Sequence, residues 1–368
     1  MKTLIITPQY LPQVGGIPSF VSNMIQNWPQ PDNTFVIYTP PAKNSIEYDK
    51  TSNIKIYRGE IKGMLGMLKI YRLSRKENID MIHLHSPHIL TRLTQYIFTK
   101  YVNKKYKLFF HSIDFNYFKQ DQKKRKRIAR LIINADKVIV NSNYLKDKFS
   151  EIFGEIAKDI VVIYPCPSNH FFEKIPNEEL TTLKKKLALD GKKVILTVAR
   201  LDEGKGFPRL IDTLPNVLKI IPNLVWLIVG DGKKKLEFIN LISKNGMQNI
   251  IRYIGNVDHL ELKKYYQLAD VFVLLLHPDE KAEEDWATVF LEASASGLPI
   301  ITGTVGGIEE QVHDLKTGLI IDVDNREQAG QAIIELLSNP DKAKDMGEYG
   351  RAWVKQEFNW IMENNKLI

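Results

Sequence analysis

Residues 283–299 read EEDWATVFLEASASGLP. The approach to them, HPDEKAEED (277–285), is polar and carries a proline. Val289, Phe290 and Ala293 then fall into a helix-like apolar pattern, and Gly297 and Pro299 are helix-ending signals. Upstream, VFVLLL (271–276) has the length of a buried strand, and downstream PIITG (299–303) reads as another. The stretch is therefore the helical crossover between two strands of an α/β sheet. Glu284 and Glu292 are separated by a little over two helical turns, so a helix beginning near Glu284 sets both carboxylates on roughly one side. Glu283, Glu284 and Asp285 suit the positive end of a helix dipole without any further role. Glu292 does not: it sits in an otherwise apolar face, and a carboxylate buried alone costs roughly several kcal/mol, so it needs a partner.

At 368 residues the chain exceeds the size at which one core stops growing, and two domains follow. Charged residues make up 26% and apolar ones 44%, a globular composition without low-complexity tracts. A single cysteine, Cys166, excludes an internal disulfide framework and fits a reducing compartment. The apolar run before Pro8 is too short for a signal-peptide core, and no stretch reaches the length of a membrane span. The expectation is a soluble, cytoplasmic protein. The net charge of +8 points to an anionic partner.

In chain order, strands alternate with helices. TLIIT is followed by a loop carrying Gly15 and Gly16 and then by an amphipathic helix. Such a glycine pair lets backbone amides approach an anion at the helix N-terminus, but it is not the GxGxxG of a dinucleotide site. TFVIYT, IKIYR, MIHLHS, KLFFHS and KVIVNS continue the rhythm, making the first half a doubly wound α/β domain. His83 and His85 share a strand face, and with His88 they permit a metal reading that no acidic or cysteine ligand supports at suitable spacing. His111 closes an apolar strand before the turn-like SID. Pro165 and Pro167 mark an interdomain connector. Beyond it, VILTVARLDEGKGFPRLI places Arg200 at a strand end and Lys205 in a glycine-flanked loop, where both could meet a diphosphate.

Residues 100–130 hold the densest basic cluster, including Lys123, Lys124, Arg125, Lys126 and Arg127. A solvated helix face accounts for it. So does an interfacial helix on anionic lipid, because aromatic and aliphatic residues are interleaved with the charges. Nucleic acid is not expected, since no reading module accompanies the cluster.

With these residues in view, the second half resembles the retaining glycosyltransferases of family four, which have the GT-B fold. The likeness rests on VARLDEGKGFPRLI, LIVGDG, YIGNV, YYQLADVFVLL, EDWATVFLEASASGLPIITG, GGIEEQV, TGLIIDVDN and the terminal EFNW. The first half is similar through YLPQVGG, DMIHLHSP, FFHSID and ADKVIVNSNYLKD. The resemblance implies two Rossmann-like doubly wound domains facing a cleft. An N-terminal acceptor-side domain would span 1–168, a nucleotide-sugar domain 169–351, and a final helix, 352–368, would return to the first domain.

By position, the resemblance also implies residue roles. Arg200 and Lys205 would neutralise the donor diphosphate, Glu292 would hold the ribose hydroxyls, and Glu284 would face the transferred sugar near its anomeric carbon. His111 would contact that sugar. Gly16, Gly306 and Gly307 would bring backbone amides to the donor, which Gly230 and Val257 would also line. The family's Gly-aromatic-Gly after the first glutamate is here Asp285, Trp286, Ala287, which puts side chains where amides normally meet sugar hydroxyls. No DxD-type carboxylate pair at a strand end is expected to bind Mg²⁺, so fixed Arg and Lys charge would serve in its place, and no cofactor is expected.

The implied activity is metal-independent transfer of a sugar, with retention, from a nucleotide-diphosphate sugar to a hydroxyl of a lipid-linked or cell-surface glycan intermediate. The protein would then lie in the cytoplasm, peripheral on the inner face of the plasma membrane. A catalytically silent binding or assembly subunit is the alternative that the altered EDWA segment motivates. A nucleotide-sugar epimerase of the same fold is a third.

Overall fold

Runs such as TFVIYT and LVWLIV combine β-branched and aromatic residues with too few polar side chains to leave a face in water, and they form parallel strands covered on both sides. The computed structural model describes every residue except Thr99, 101–103, Lys158 and 279–285. The chain divides into two units, Met1–Pro165 with Asn359–Ile368, and Cys166–Phe358.

In the first unit the strands are β1 (Lys2–Ile6), β2 (Thr34–Thr39), β3 (Lys55–Arg58), β4 (Met81–His85), β5 (Lys105–Phe109), β6 (Lys137–Val140) and β7 (Ile160–Val162). They alternate with α1 (Gly16–Gln26), α2 (Ser45–Thr51), α3 (Met64–Lys76), α4 (Arg92–Ile97), α5 (Ser112–Phe118), α6 (Gln122–Ile133) and α7 (Asn143–Phe153). The parallel sheet has the order β3-β2-β1-β4-β5-β6-β7. The direction of winding therefore reverses between β1 and β4, whose register pairs Ile5 with His83. Leu4, Ile6, Ile82, Leu84, Leu108 and Phe110 are at most 1% exposed and form the centre of its core.

The second unit repeats the plan. After α8 (Asn177–Lys186), β8 (Lys193–Val198), β9 (Leu224–Val229), β10 (Ile251–Gly255), β11 (Val271–Leu274), β12 (Ile300–Gly303) and β13 (Gly318–Ile321) alternate with α9 (Phe207–Ile220), α10 (Lys235–Lys244), α11 (Leu262–Leu268), α12 (Thr288–Ala295) and α13 (Arg326–Ser338). The order β10-β9-β8-β11-β12-β13 places the reversal between β8 and β11. Both units are doubly wound Rossmann-like sheets, and in such sheets ligands bind outside the carboxyl ends of the strands at the reversal.

The long helix α14 (Pro340–Glu357) stays with the second unit, and the chain returns to the first at Phe358/Asn359. The sequence places these boundaries at 168/169 and 351/352. The return segment begins later because α14 is unbroken and packs tightly on α12: a side chain at Gly347 would meet the Gly297 carbonyl at 2.0 Å. The short α15 (Trp360–Asn365) belongs to the first unit. Asn364 donates to the carbonyls of Met24 and Asn27, both at 2.9 Å, satisfying groups that α1 leaves open at its C-terminus.

Candidate functional site

In the second unit, the loop after β8 and the segment after β11 leave the sheet side by side at the reversal. Arg200 and Lys205 lie on the first. The Arg200 side chain is 74% exposed and pairs with Asp202 at 2.9 Å, while Lys205 is half-buried. The loop closes on Gly206, the N-cap of α9, which adopts φ +71°. A β-carbon there would stand 2.1 Å from the Leu275 carbonyl, so only glycine lets the loop lie against the end of β11. Gly230, after β9, is similarly held: φ is +132° and a β-carbon would meet the Ala199 carbonyl at 2.0 Å. Val257, after β10, is half-buried.

Helix α12 begins at Thr288, not near Glu284. Ala287 is its extended N-cap, with φ −125° and ψ 95°, and its backbone N–H is given to Gln311. The condition under which Glu284 and Glu292 would share one helical side, a helix beginning near Glu284, is therefore not met. Glu284 itself, with Glu283 and Asp285, lies outside the described residues. Trp286 and Ala287 are buried.

Glu292 is 5% exposed. The sequence leaves its partner to a ligand, but the chain supplies two: the Tyr266 hydroxyl donates to Oε2 at 2.9 Å, and His259 Nε2 lies 3.3 Å from Oε1. Burial pulls the His259 pKa down, the Glu292 carboxylate pulls it up, and the net result is above the ordinary histidine value. Tyr266 is fully buried, and burial followed by the same carboxylate drives its phenol well above its usual range, so it stays a proton donor.

Gly306 (φ +55°) and Gly307 precede a 3-10 turn, Ile308–Glu310. Gln311, 1% exposed, donates to the Gly307 carbonyl at 3.1 Å and accepts from Ala287 N at 2.8 Å, tying the glycine pair to the start of α12. Sequence reasoning misses Gln311, Tyr266 and His259. The motifs GGIEEQV and YYQLAD contain the first two, but nothing local distinguishes them from ordinary helix residues.

In the first unit, Gly15 is the N-cap of α1 and Gly16 its exposed first residue, where a β-carbon would have no neighbour within 4 Å. His111 is the N-cap of α5, and the Asp114 carboxylate accepts its backbone N–H at 2.9 Å. Asp114 also takes His88 Nδ1 at 2.6 Å. The His111 ring is 9% exposed, and its Nε2 faces His85 Nδ1 at 3.3 Å. Burial holds its pKa down to about 4. His83 and His85 are fully buried; the His85 ring stacks on Phe109, and the His83 ring is tilted between Trp28 and Phe109. The three histidines do not form a metal site: His88 turns to Asp114 and the other two are core. Among the described residues no group of three or more His, Cys, Asp or Glu could hold a metal ion.

The basic run forms α6, capped by Asp121 through the backbone N–H groups of Lys123 and Lys124. Its six cations are not alike. Lys123, Lys126 and Arg130 are exposed. Lys124 lies 4.3 Å from the Tyr117 ring centroid, Arg127 donates to the Tyr117 hydroxyl, and Arg125 donates to the carbonyls of Phe118 and Lys119. No helix among the described residues is long and apolar enough to cross a membrane.

A groove of about 520 Å³ opens elsewhere on the second unit, between α8 and α11, lined by Pro176, Leu183, Lys264 and Tyr265 among others. It holds none of the residues above, and Lys264 within it is already paired with Glu179 and Glu261.

Residues 180–353 match the family described as glycosyl transferases group 1, and residues 14–166 match glycosyltransferase family 4. The chain is 30% identical over 238 residues to a GDP-mannose-dependent alpha-(1-6)-phosphatidylinositol monomannoside mannosyltransferase of Mycobacterium tuberculosis, a match spanning 64% of this chain but only 61% of that protein. It is 26% identical over 379 residues to a GDP-mannose-dependent monoacylated alpha-(1-6)-phosphatidylinositol monomannoside mannosyltransferase of Corynebacterium glutamicum, covering 100% of this chain and 96% of the relative. The crystal structure of Anabaena HepE in complex with UDP superimposes with a TM-score of 0.82 at 17% identity, over 100% of this chain and 98% of that one. The fold is GT-B.

Proposed function

This chain belongs to the group 1, family 4 glycosyltransferases, and from that premise we propose that it transfers a sugar from a nucleotide-diphosphate sugar to a hydroxyl of a glycolipid, with retention of anomeric configuration and without a metal. The observation that carries the reading is the placement of Arg200, Lys205 and Glu292 on the two segments that leave β8 and β11, the strands between which the second sheet reverses.

In this reading Lys205 and Arg200 stabilise the negative charge that develops on the β-phosphate as the nucleotide leaves, which is the work a metal does elsewhere. Glu292 accepts the ribose hydroxyls. The amides near Gly306 and Gly307, fastened by Gln311, approach the donor, as do Gly230 and Val257. For Glu284, outside the described residues, the role near the anomeric carbon stays the one the resemblance implies, and the roles of His111 and Gly16 stay so likewise. The acceptor hydroxyl attacks from the side the leaving group departs, and the phosphate takes its proton.

A glycolipid acceptor is supported by the phosphatidylinositol mannosides named for two relatives and by the distribution of charge. The first unit carries 27 Lys and Arg against 14 Asp and Glu, net +13, while the second carries 24 against 29, net −5. Exposed Leu93 and Tyr96 on α4 accompany the α6 cations, and Gln95 of α4 bonds the Arg127 carbonyl at 2.6 Å. Docking on the anionic inner leaflet of the plasma membrane follows.

The test is incubation with GDP-mannose, UDP-glucose and related donors, with chelator present, together with vesicles containing phosphatidylinositol glycolipids. Free nucleotide and the one-bond C1–H1 coupling of the product's anomeric carbon are read. Release of nucleotide with a retained anomer is expected. No release from any donor favours a silent binding subunit instead.

A further inference from the structure

Glu292 is held on both oxygens by its own unit, and the two side chains that hold it differ in kind. Tyr266 is entirely buried and its hydroxyl is committed to Oε2. His259, 41% exposed, reaches Oε1 from the loop after β10. Both are backed by Phe171, from the 3-10 turn Asn169–Phe172, with ring centroids 5.6 Å from Tyr266 and 5.1 Å from His259. His170 of the same turn reaches the His259 carbonyl at 3.2 Å. The carboxylate is therefore fixed in direction as well as in place.

An ionised carboxylate has about four acceptor positions, two on each oxygen. Here one position on each is filled, and one on each is left. Two fixed acceptors on adjacent oxygens are complementary to two adjacent hydroxyls, each oxygen taking one. We propose that Tyr266 and His259 are positioning residues that set Glu292 to receive the vicinal 2′,3′-diol of the donor ribose. The inference rests on the assignment of Glu292 to the donor, and it adds what makes that carboxylate selective: a freely rotating one would lose rotamer freedom on binding, whereas this one is already ordered.

The alternative is that the two side chains merely satisfy a buried charge. The two roles separate with nucleotides that lack the diol. Binding of UDP and GDP, and of their 2′,3′-dideoxy counterparts, is measured by calorimetry for the full chain, for Glu292→Gln, for Tyr266→Phe and for His259→Asn, with thermal melts alongside. The native protein is expected to prefer the ribo forms, and Glu292→Gln to lose that preference. Tyr266→Phe and His259→Asn should each weaken ribonucleotide binding about tenfold, the value of one hydrogen bond near 1.4 kcal/mol, while dideoxy binding changes less than twofold. If Glu292→Gln keeps the preference, Glu292 is not the diol acceptor, and the assignment beneath the inference fails. If Glu292→Gln loses it but both Tyr266→Phe and His259→Asn keep it, or weaken ribo and dideoxy forms equally, the positioning role is overturned while the assignment stands. Should Tyr266→Phe fail to fold, His259→Asn decides alone, because that side chain is half-exposed and its loss is tolerated more easily.

Discussion

Gln311 accepts the backbone N–H of Ala287 across 2.8 Å while donating its other amide atom to the Gly307 carbonyl at 3.1 Å. One buried side chain thereby joins two segments of the proposed donor site. Gln311→Leu keeps the volume and strands both backbone groups, each left buried at a cost of roughly 1–3 kcal/mol. The expected result is a lower melting temperature together with weaker nucleotide binding; full retention of both would exclude the bridge.

Lys205→Ala is expected to leave the melting curve in place and slow transfer by roughly 2–4 kcal/mol in barrier, or about thirty- to a thousandfold, because its contact strengthens as the phosphate gains charge. Arg200→Ala should act in the same direction without loss of stability, since an exposed ion pair such as Arg200–Asp202 adds little. Steady-state rates within twofold of the native enzyme for both would remove the pair from the site.

Three glycines separate packing from binding. Gly206→Ala and Gly230→Ala each drive a β-carbon into a backbone carbonyl, at 2.1 Å and 2.0 Å, at a positive φ. Each should destabilise the second unit by several kcal/mol or prevent folding. Gly16→Ala meets nothing within 4 Å, so it should melt like the native protein, and unchanged turnover would remove the Gly16 amide from the reaction.

The buried histidines make the first unit sensitive to acid. Burial holds His83 at about 3 and His111 at about 4, with His85 also far below the ordinary value. All three are lowered on folding, so the unfolded chain takes up protons first and stability falls as pH drops below about 6.5. For one uncoupled histidine the slope is on the order of 1.4 kcal/mol per pH unit, ending near its folded pKa. Urea midpoints for the first unit should fall between pH 7 and pH 5, and less steeply in His83→Leu. A flat profile would contradict the burial of these rings.

On α6, Lys123, Lys126 and Arg130 are exposed, and Arg125 and Arg127 are tied to Lys119, Phe118 and Tyr117. The double change Lys123→Gln, Lys126→Gln should weaken sedimentation with anionic vesicles roughly thirtyfold at low salt, at ~1 kcal/mol per charge, with an unchanged melt. Arg125→Gln with Arg127→Gln should lower the melting temperature. Equal vesicle binding by the lysine variant would make the run a solvated face.

The sequence alone determined the two parallel α/β units, because apolar runs of strand length and helical periodicity are local properties of the chain. It missed β7 and β13, short strands at sheet edges whose identity depends on a neighbour to pair with. It marked Glu292 as a carboxylate in need of a partner. What only the tertiary structure decided was that partner: Tyr266 and His259 lie 26 and 33 positions away, and Gln311 is 24 from Ala287. The start of α12 was decided in the same way, since a helix begins where the backbone N–H groups before it find other acceptors, and here the acceptor is the side chain of Gln311. Hydrogen bonds between distant residues leave no periodic trace in the chain, so the order of the strands had to bring them together before they could be read.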